Sequence, residues 1–209
     1  MDSGPPQQGA DLRPAATVIV AREASGGLEF LVLLRSASSR FLPNFVVFPG
    51  GVVEDQDRAL ASSWFGGEDE AARACALREL AEEAGLVMTA NGLIEAPGRL
   101  PGQPDLPPPD PGAMPEIARW VAPEFLPVRF DARFFALGAS PDVEPHPDGM
   151  EAARAWWTSA EELLDGARTG ETQLMWPTLK TLETLAGCST LEEVLSLRIE
   201  QVPPPVRSS

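Results

Sequence analysis

Cysteine and histidine are scarce in this sequence, and their scarcity excludes several kinds of site. The 209 residues include two cysteines, Cys75 and Cys188, and one histidine, His146. Two cysteines cannot build the disulfide framework of a small secreted domain, nor a zinc site with four thiolates. A single histidine among prolines is expected to be solvated rather than catalytic. Charged residues are therefore the stronger candidates for a functional site.

Basic residues are also in short supply. The chain has 16 lysines and arginines against 31 aspartates and glutamates, so its formal net charge at pH 7 is -15. A protein that binds bare nucleic acid needs a basic surface, so this balance argues against a nucleic-acid partner. The acidity suits a protein that meets anionic substrates through bound metal ions, because a cation can bridge two anions.

Long apolar runs are missing, and this bears on location. No apolar run approaches the roughly 20 residues that a membrane-spanning helix needs. Met1 to Gly9 are polar and rich in proline and glycine, without the apolar core of a secretory signal. The last residues, Val206 to Ser209, do not form a peroxisomal S-K-L ending. We therefore expect no membrane partner and a cytoplasmic location.

The order of strands, helices and turns indicates one domain with short extensions. A length of 209 residues suits a single domain with a sizeable core. We expect a disordered tail over residues 1–12, a domain over residues 13–201 and a second tail over residues 202–209. Strands, an acidic helix, more strands and later helices favour an α/β or α+β fold.

Runs of β-branched and apolar residues predict five strands. They cover residues 15–21, 28–34, 45–48, 133–137 and 151–157. The first two flank Ser25-Gly26-Gly27, a turn signal, and should form a hairpin. The third runs into Pro49-Gly50-Gly51, where glycines allow the backbone to approach a ligand closely. Later helices are expected to begin at Ser159, near Pro177 and at Thr190.

Two segments are expected to lie outside regular structure. Residues 91–115 are dense in proline and glycine and lack apolar periodicity, so we expect a disordered surface excursion rather than a substrate-side flap. The other segment, residues 55–69, interrupts a motif that the next paragraphs describe, and we expect it to be a loop.

One helix organises the chain. It is predicted from Glu70 to Gly85, and Gly85 stands where a helix takes its left-handed C-terminal residue. At about 100° per residue, its apolar and small residues share one side. These residues are Leu77, Leu80, Ala81 and Ala84. On the other side lie Glu79, Glu82 and Glu83, which share a stripe because they are spaced i, i+3 and i+4.

The three glutamates repel each other, at a cost of a few tenths of a kcal/mol per pair. A divalent cation would reverse that cost, since Mg²⁺ and Mn²⁺ prefer hard oxygen ligands. Three glutamates alone would favour the alternative, a solvated acidic face. A longer pattern favours a metal site. From Glu70 the chain reads E-x7-R-E-U-x-E-E-x-G-U, with U an aliphatic residue, and Phe48-Pro49-Gly50-Gly51-Val52 stands upstream.

This pattern resembles the Nudix box, G-x5-E-x7-R-E-U-x-E-E-x-G-U, of the diphosphate-cleaving Nudix hydrolases. The second half of the box matches at every fixed position, which are Glu70, Arg78, Glu79, Leu80, Glu82, Glu83, Gly85 and Leu86. The resemblance implies an α/β/α sandwich with a mixed sheet and a hydrolase that uses Mg²⁺ or Mn²⁺. It also implies a small nucleotide substrate. Nudix proteins often pair, so a homodimer is one expected assembly.

The first half of the box is split. If Gly51 is the leading glycine, 18 residues separate it from Glu70, where the family has five. The inserted piece is residues 55–69. A second register takes Asp57 as the first acid of the box, because it stands six places after Gly51. The sequence leaves both registers open.

Two further motifs resemble one branch of the family, whose best-known member is the mammalian peroxisomal acyl-coenzyme A diphosphatase. They are Trp120-Val121-Ala122-Pro123 and Arg129-Phe130-Asp131-Ala132-Arg133-Phe134-Phe135. That branch also carries an insertion inside its box. Relatives that cleave coenzyme A have an upstream R-x3-G-x3-F-P-G-G, in which Arg40 fits here but Asn44 replaces the glycine. Asparagine tolerates the left-handed conformation better than most residues, so the turn is expected to survive.

The resemblance assigns metal ligation to Glu79, Glu82 and Glu83, with the backbone of Gly51 nearby. A proton would pass to Glu79 or to a glutamate after the box. Glu151 is the first candidate for that glutamate, and Glu144 is the second.

Arginines receive the remaining roles that the resemblance implies. Arg78 cannot act as a base at neutral pH and would orient a box carboxylate, Glu79 or Glu70, through a bidentate ion pair. Substrate phosphates would be bound by Arg40, Arg129 and Arg133, although a structural role is open for the last two.

The expected substrate is coenzyme A or acyl-coenzyme A, on the strength of the branch motifs. An NADH- or ADP-ribose-type diphosphatase is the alternative within enzymes, and the missing zinc-ribbon cysteines weigh against the usual NADH form. A nucleotide-binding module with a decayed site is the alternative outside enzymes. The intact glutamates of the helix speak against that module.

Overall fold

The computed structural model describes residues 11–39, 42–147 and 149–204. Its strands are β1 (Leu12–Ala24), β2 (Gly27–Arg35), β3 (Val46–Val47), β4 (Gly50–Val52), β5 (Leu86–Thr89), β6 (Gly92–Glu95), β7 (Glu116–Val121), β8 (Arg129–Gly138) and β9 (Ala152–Thr158). Its α-helices are α1 (Asp55–Phe65), α2 (Ala71–Ala84), α3 (Ala160–Thr169), α4 (Trp176–Leu185) and α5 (Leu191–Ser196).

Seven of the strands form one mixed sheet with β1 near its centre. β1 and β8 run parallel over ten residue pairs, and the other pairings are antiparallel. The predicted hairpin is present, since β1 and β2 pair up to Ala24 and Gly27 at the turn. β5 and β6 form a separate two-stranded ribbon.

The chain from β3 to β4, which we call the glycine wedge, enters the sheet between β1 and β2. The two strands pair with each other only near their turn, over residues 21–24 of β1. Farther along, Leu33 and Leu34 of β2 pair with β3 instead, and Ala15 to Thr17 of β1 pair with β4. This splaying places Gly50 and Gly51 inside the sheet rather than at its rim.

Helices cover both faces of the sheet, which confirms the predicted fold class. α1 and α2 pack over one face, against a core that includes Val18, Leu33 and Phe135. α3, α4 and α5 cover the other face, against a core that includes Phe30 and Ala136. The resulting sandwich positions α2 directly above the wedge that carries the glycines.

The helix α2 follows the predicted bounds closely. Leu77, Leu80 and Ala84 are buried on its apolar side, which the sheet covers. Gly85 ends the helix with φ of 66°, the left-handed conformation that glycine adopts at little cost. The Gly85 N–H donates to the Ala81 carbonyl at 3.1 Å. Asn44 is also left-handed, with φ of 62°, as expected for a residue that replaces a glycine.

The inserted segment is a helix, so the prediction of a loop over residues 55–69 is wrong. α1 occupies most of it, and a short 3₁₀ helix at Glu68–Glu70 leads into α2. Asp57, Ala61 and Trp64 form the buried side of α1. Because one of these three is charged, the side that faces the core has no continuous apolar stripe. Apolar periodicity therefore misses this helix.

The proline-rich segment is partly ordered by pairing and burial. The expected disordered excursion over residues 91–115 is wrong for Gly92–Glu95, which forms β6. Leu106 and Met114 are buried, so the rest of the segment is also packed on the domain. The last helix ends at Ser196, and the chain after it is extended and follows the edge of β7.

The ends of the chain fall partly outside the described residues. This holds for Met1 to Ala10 of the predicted N-terminal tail and for Pro205 to Ser209 of the C-terminal one. The proposed domain limits, residues 13–201, stay a prediction. Across the described ranges, no helix has the length and apolar character needed to cross a bilayer.

Candidate active site

The site is built where β4 meets α2. A Cβ at Gly51 would overlap the carboxylate of Glu79, so glycine allows this carboxylate to lie directly against the backbone of β4. Beside it, the Gly50 N–H donates a hydrogen bond to Glu83 Oε2 at 3.0 Å. The predicted contact between the glycine pair and the acidic side of α2 is therefore present in the fold.

The three glutamates of α2 differ in exposure. The side chain of Glu83 is 4% exposed and that of Glu79 is 13% exposed, whereas Glu82 is 51% exposed. Glu79 and Glu83 lie under the glycine wedge, and Glu82 faces solvent. A merely solvated acidic face would leave all three side chains in water, so the burial of two favours a site.

Burial and mutual repulsion hold protons on the two inner glutamates. Burial raises the pKa of Glu79 to about 7, where the charge of Arg78 lowers it and the charges of Glu82 and Glu151 raise it. Burial also raises the pKa of Glu83 to about 8, helped by the charge of Glu79. The Gly50 N–H and the Arg35 charge lower the pKa of Glu83, but less strongly.

Arg78 joins the helix to the inserted segment. Its Nε and Nη2 donate to the two oxygens of Asp57 at 2.8 and 3.1 Å. Its Nη1 lies 2.9 Å from Glu79 Oε1 and 2.8 Å from Glu82 Oε2. Burial alone would lower the pKa of Arg78, but the hydrogen bond to Asp57 and the charges of Glu79 and Asp57 raise it above its usual value. Arg78 is therefore a fixed cation between carboxylates.

The two registers of the split box lead to different partners for Arg78. Glu70, the first acid of one register, pairs with Arg73 rather than with Arg78. Asp57, the first acid of the other register, takes the bidentate ion pair. Of the two box carboxylates proposed as partners of Arg78, the structure brings Glu79 to it and does not bring Glu70.

A comparison with known proteins identifies the family. The NUDIX domain model matches residues 11–181, most of the chain. The chain belongs to the Nudix family. A crystal structure of a NUDIX hydrolase from Alicyclobacillus acidocaldarius is 31% identical, with a TM-score of 0.76, over 91% of this chain and 98% of that one. The protein is thus a Nudix hydrolase, and its α/β/α sandwich is the Nudix fold.

Two other similar proteins add less. A protein named putative nudix hydrolase 7, from Caenorhabditis elegans, is 39% identical over 80 residues, which are 38% of this chain and 24% of that protein's length. The NUDIX domain of Shewanella oneidensis NrtR, solved with ADP ribose, is 13% identical with a TM-score of 0.53, over 86% of this chain and 90% of that one. At that identity the likeness shows the fold alone.

Glu151 is the residue immediately before β9. Its charge acts on both Glu79 and Glu83, as the pKa shifts of those residues show. Its carbonyl accepts a hydrogen bond from the Ser36 N–H at 3.0 Å, which ties it to the end of β2. The second candidate, Glu144, instead pairs with Arg22 at 2.9 Å. Glu151 is therefore near enough for its charge to act on the two inner glutamates, whereas Glu144 pairs with Arg22.

The predicted phosphate-binding arginines lie in different places. Arg133 pairs with Glu116 at 2.6 Å and lies over the ring of Phe135. Arg129 Nε donates to the Ala122 carbonyl at 3.2 Å, within the β7–β8 hairpin. Neither of these contacts involves a glutamate of the Nudix helix. Arg40 falls outside the described residues.

Arg35 is a cation at the site that the sequence analysis missed. It ends β2, and its Nη1 lies 3.8 Å from Glu83 Oε1. Its position follows from the pairing of β2 with β3 and β9, which no local pattern reveals. The only sequence signal was its place at the end of a buried strand, just before a polar loop.

Cys75 packs beneath the site, whereas His146 pairs with a residue outside it. The Cys75 thiol is buried beneath the glycines and donates to the Gly51 and Val52 carbonyls at 3.7 and 3.5 Å. Burial raises the pKa of this thiol far above its usual value, so it is a packed thiol rather than a reactive thiolate. His146 shares a hydrogen bond of 2.7 Å with Glu95.

The carboxylates of Glu79, Glu82 and Glu83 are oxygen ligands of the kind that a divalent cation prefers. Within the described ranges, no three acidic, histidine or cysteine side chains already converge on a common metal position. Arg78 instead supplies the positive charge between Glu79 and Glu82. Two buried carboxylates with raised pKa values and hard oxygen donors are what a dication would stabilise. Nudix hydrolases generally use divalent metals.

Proposed function

We propose that this Nudix hydrolase cleaves the diphosphate linkage of a nucleoside diphosphate derivative with the help of Mg²⁺ or Mn²⁺. The observation that carries the proposal is the packing of two buried carboxylates of α2 against the glycine pair, Glu79 against Gly51 and Glu83 against the Gly50 N–H. Exposed Glu82 lies beside them, because it shares the Arg78 cation with Glu79. Clustered carboxylates of this kind would release their protons on binding the cations that accompany a diphosphate.

Divalent cations bound here would neutralise phosphate charge and lower the pKa of bound water. Glu79, Glu82 and Glu83 would hold them, with the backbone of Gly51 alongside. Glu79 or Glu151 would take the proton from the attacking water. Arg78 would keep Glu79 and Glu82 in place. Arg35 would attract the anionic substrate, since its cation lies beside Glu83 at the end of β2.

Coenzyme A or acyl-coenzyme A is the proposed substrate class. The support is the pair of motifs after the proline-rich segment and the Arg40-to-Gly51 pattern, whose departing residue, Asn44, does adopt the left-handed conformation. We also propose Arg40, Arg129 and Arg133 as further candidates for binding the substrate phosphates, alongside Arg35. The contacts of Arg133 with Glu116 make it the weakest of these.

A substrate panel tests the proposal. Coenzyme A, an acyl-coenzyme A, NADH and ADP-ribose are incubated with the full chain and Mg²⁺ or Mn²⁺, and products are identified by mass spectrometry. We expect adenosine 3′,5′-bisphosphate and a phosphopantetheine product from the first two. Cleavage of ADP-ribose or NADH alone would replace the substrate class, and a blank panel with both metals would reject hydrolysis of these diphosphates.

A further inference from the structure

The chain between β8 and β9 is fastened to the rest of the domain before it reaches β9. We call residues 139–147 the anchored loop. Arg22 of β1 donates from Nη1 to the carbonyls of Pro141 and Val143, at 3.0 Å each. The same nitrogen donates to Glu144 Oε1 at 2.9 Å. The first half of the anchored loop is therefore held on the sheet by one side chain.

Glu95, the last residue of β6, fastens the second half of the anchored loop. Its Oε1 accepts a hydrogen bond from the Glu144 N–H at 3.0 Å, and its Oε2 shares a hydrogen bond of 2.7 Å with His146 Nε2. The bonds from His146 and from the Glu144 N–H hold the pKa of Glu95 below its ordinary value. Glu95 is therefore ionised at neutral pH, and both of its oxygens accept from one short segment.

The anchored loop also contacts the end of α2. The His146 N–H donates to the carbonyl of Ala84, the last residue of α2, at 2.7 Å. Carbonyls in the last turn of a helix have no partner within the helix, so this bond satisfies one of them. A Cβ at Gly85 would lie 2.9 Å from the His146 carbonyl oxygen, so the glycine that ends α2 leaves room for the contact. The loop thus meets α2 one residue after Glu83.

Glu151 lies shortly after this anchor. It stands five places after His146, and five residues span at most about 18 Å, so the anchor limits where Glu151 can lie. The Glu151 carbonyl accepts from the Ser36 N–H at 3.0 Å. Its charge raises the pKa values of Glu79 and Glu83. The anchored loop therefore connects Glu95, outside the site, with a glutamate whose charge acts within it.

We propose that Glu95 is a positioning residue, which acts on the active site through the anchored loop and Glu151. The proposal rests on the proposed function, because Glu151 belongs to the same site. The side chains of Glu95 and His146 are 39% and 45% exposed. Ion pairs as exposed as this one contribute little to stability, so the loss of Glu95 should loosen the loop without unfolding the domain.

The first experiment measures kcat, KM and the melting temperature of the full chain on any substrate that the wild type cleaves. Glu95→Ala should lower kcat by about tenfold, because a small displacement of a reacting group slows the chemical step. KM and the melting temperature should stay close to those of the wild type. Glu95→Gln keeps hydrogen-bonding groups at both positions and should recover most of the loss.

Two controls separate positioning from a general structural effect. Asp105→Ala removes another exposed carboxylate, which pairs with Arg99 in the proline-rich segment, and should keep wild-type kcat. In a Glu151→Gln background, Glu95→Ala should cause no further fall in kcat, because the residue through which it acts is already gone. Wild-type kcat in Glu95→Ala would overturn the proposal, and so would a further tenfold fall in the Glu151→Gln background.

Hydrogen exchange of the Ser36 N–H, followed by NMR, tests the proposal without activity. This amide reports on Glu151 because it donates to the Glu151 carbonyl. Its exchange should be about tenfold faster in Glu95→Ala and unchanged in Asp105→Ala. If the wild type cleaves no substrate, the proposed function fails, and unchanged Ser36 exchange in Glu95→Ala would then reject the positioning role separately. If Glu95→Ala does not fold, His146→Ala breaks the same side-chain bond and should give the same changes.

Discussion

The two helical layers of this protein differ in whether they bury charged side chains. On the α1–α2 side, Asp57, Arg78 and Glu83 are buried in the described structure. On the α3–α5 side, the buried polar residues of the helices are Thr178 and Thr181 of α4, and the rest of that buried layer is apolar. Both layers cover the same sheet, so the difference is a property of the helices.

This difference indicates that the α1–α2 layer is less stabilising than it would be with an apolar interior, because it carries the charged groups of the site. Burying ions costs several kcal/mol per group before pairing offsets it, whereas an apolar layer has no such cost. The α1–α2 layer contains buried ions beside the glycine wedge, and the Asp57–Arg78 ion pair offsets part of their desolvation free energy. The α3–α5 layer serves as scaffold. Substitutions in the two layers should therefore separate activity from stability.

The largest effect is expected from Glu82→Gln. This change removes one exposed carboxylate of the proposed metal site and leaves the side-chain volume nearly unchanged, so turnover should fall by about a hundredfold or more while the fold persists. Steady-state kinetics at saturating Mg²⁺ measures the loss. Glu161→Gln, an exposed glutamate in the first turn of α3, is the control and should retain wild-type turnover.

A stability effect without a catalytic one is expected in the opposite layer. Leu182 of α4 is completely buried in the core on that side. Leu182→Ala should lower the free energy of unfolding by about 2–5 kcal/mol, because it leaves a cavity. Urea unfolding measures this change, and kcat of the remaining folded enzyme should match the wild type. A kcat that falls along with stability would show that the two layers are not separable.

A smaller effect is expected from pH in the metal-free protein. The pKa values of Glu79 and Glu83 lie at about 7 and about 8, above the ordinary value of 4.5. The folded state therefore holds protons that the unfolded state has released. The stability they contribute is fully present below about pH 4.5 and is lost as pH rises through 7 and 8, on the order of a few kcal/mol.

Unfolding by urea in a chelator, at a series of pH values, tests this slope. Excess Mg²⁺ should flatten it, because the cation stabilises the ionised carboxylates. Glu83→Gln should also flatten it without metal, since it removes the group with the larger shift. A wild type whose stability does not change between pH 5 and 9 would contradict the burial of charge at the wedge.

Local patterns predicted the elements whose apolar residues are regularly spaced. The helix from Glu70 to Gly85 could be predicted because Leu77, Leu80 and Ala84 keep a helical period and glycine ends it. The helix α1 could not, because Asp57 occupies a core position and Trp64 is the only large apolar residue among its buried residues. A charged residue in a core position interrupts the apolar periodicity, so the sequence pattern predicts a loop where the chain forms a helix.

The site was predictable where it depends on spacing within one helix, and less so where strands far apart in sequence meet. Glu79, Glu82 and Glu83 follow from i, i+3 and i+4. Arg35 reaches Glu83 only because β2 pairs with β3 and β9, and that pairing is set by the whole sheet. The choice between Glu70 and Asp57 likewise depended on how α1 packs on α2.

The most direct test is to diffract from crystals of the full chain soaked in Mn²⁺, using data collected at the manganese absorption edge. The account predicts anomalous peaks at coordination distance from the carboxylates of Glu79, Glu82 and Glu83, beside the backbone of Gly51. Peaks confined to other surfaces at saturating Mn²⁺, with Arg78 still bridging Glu79 and Glu82, would contradict it.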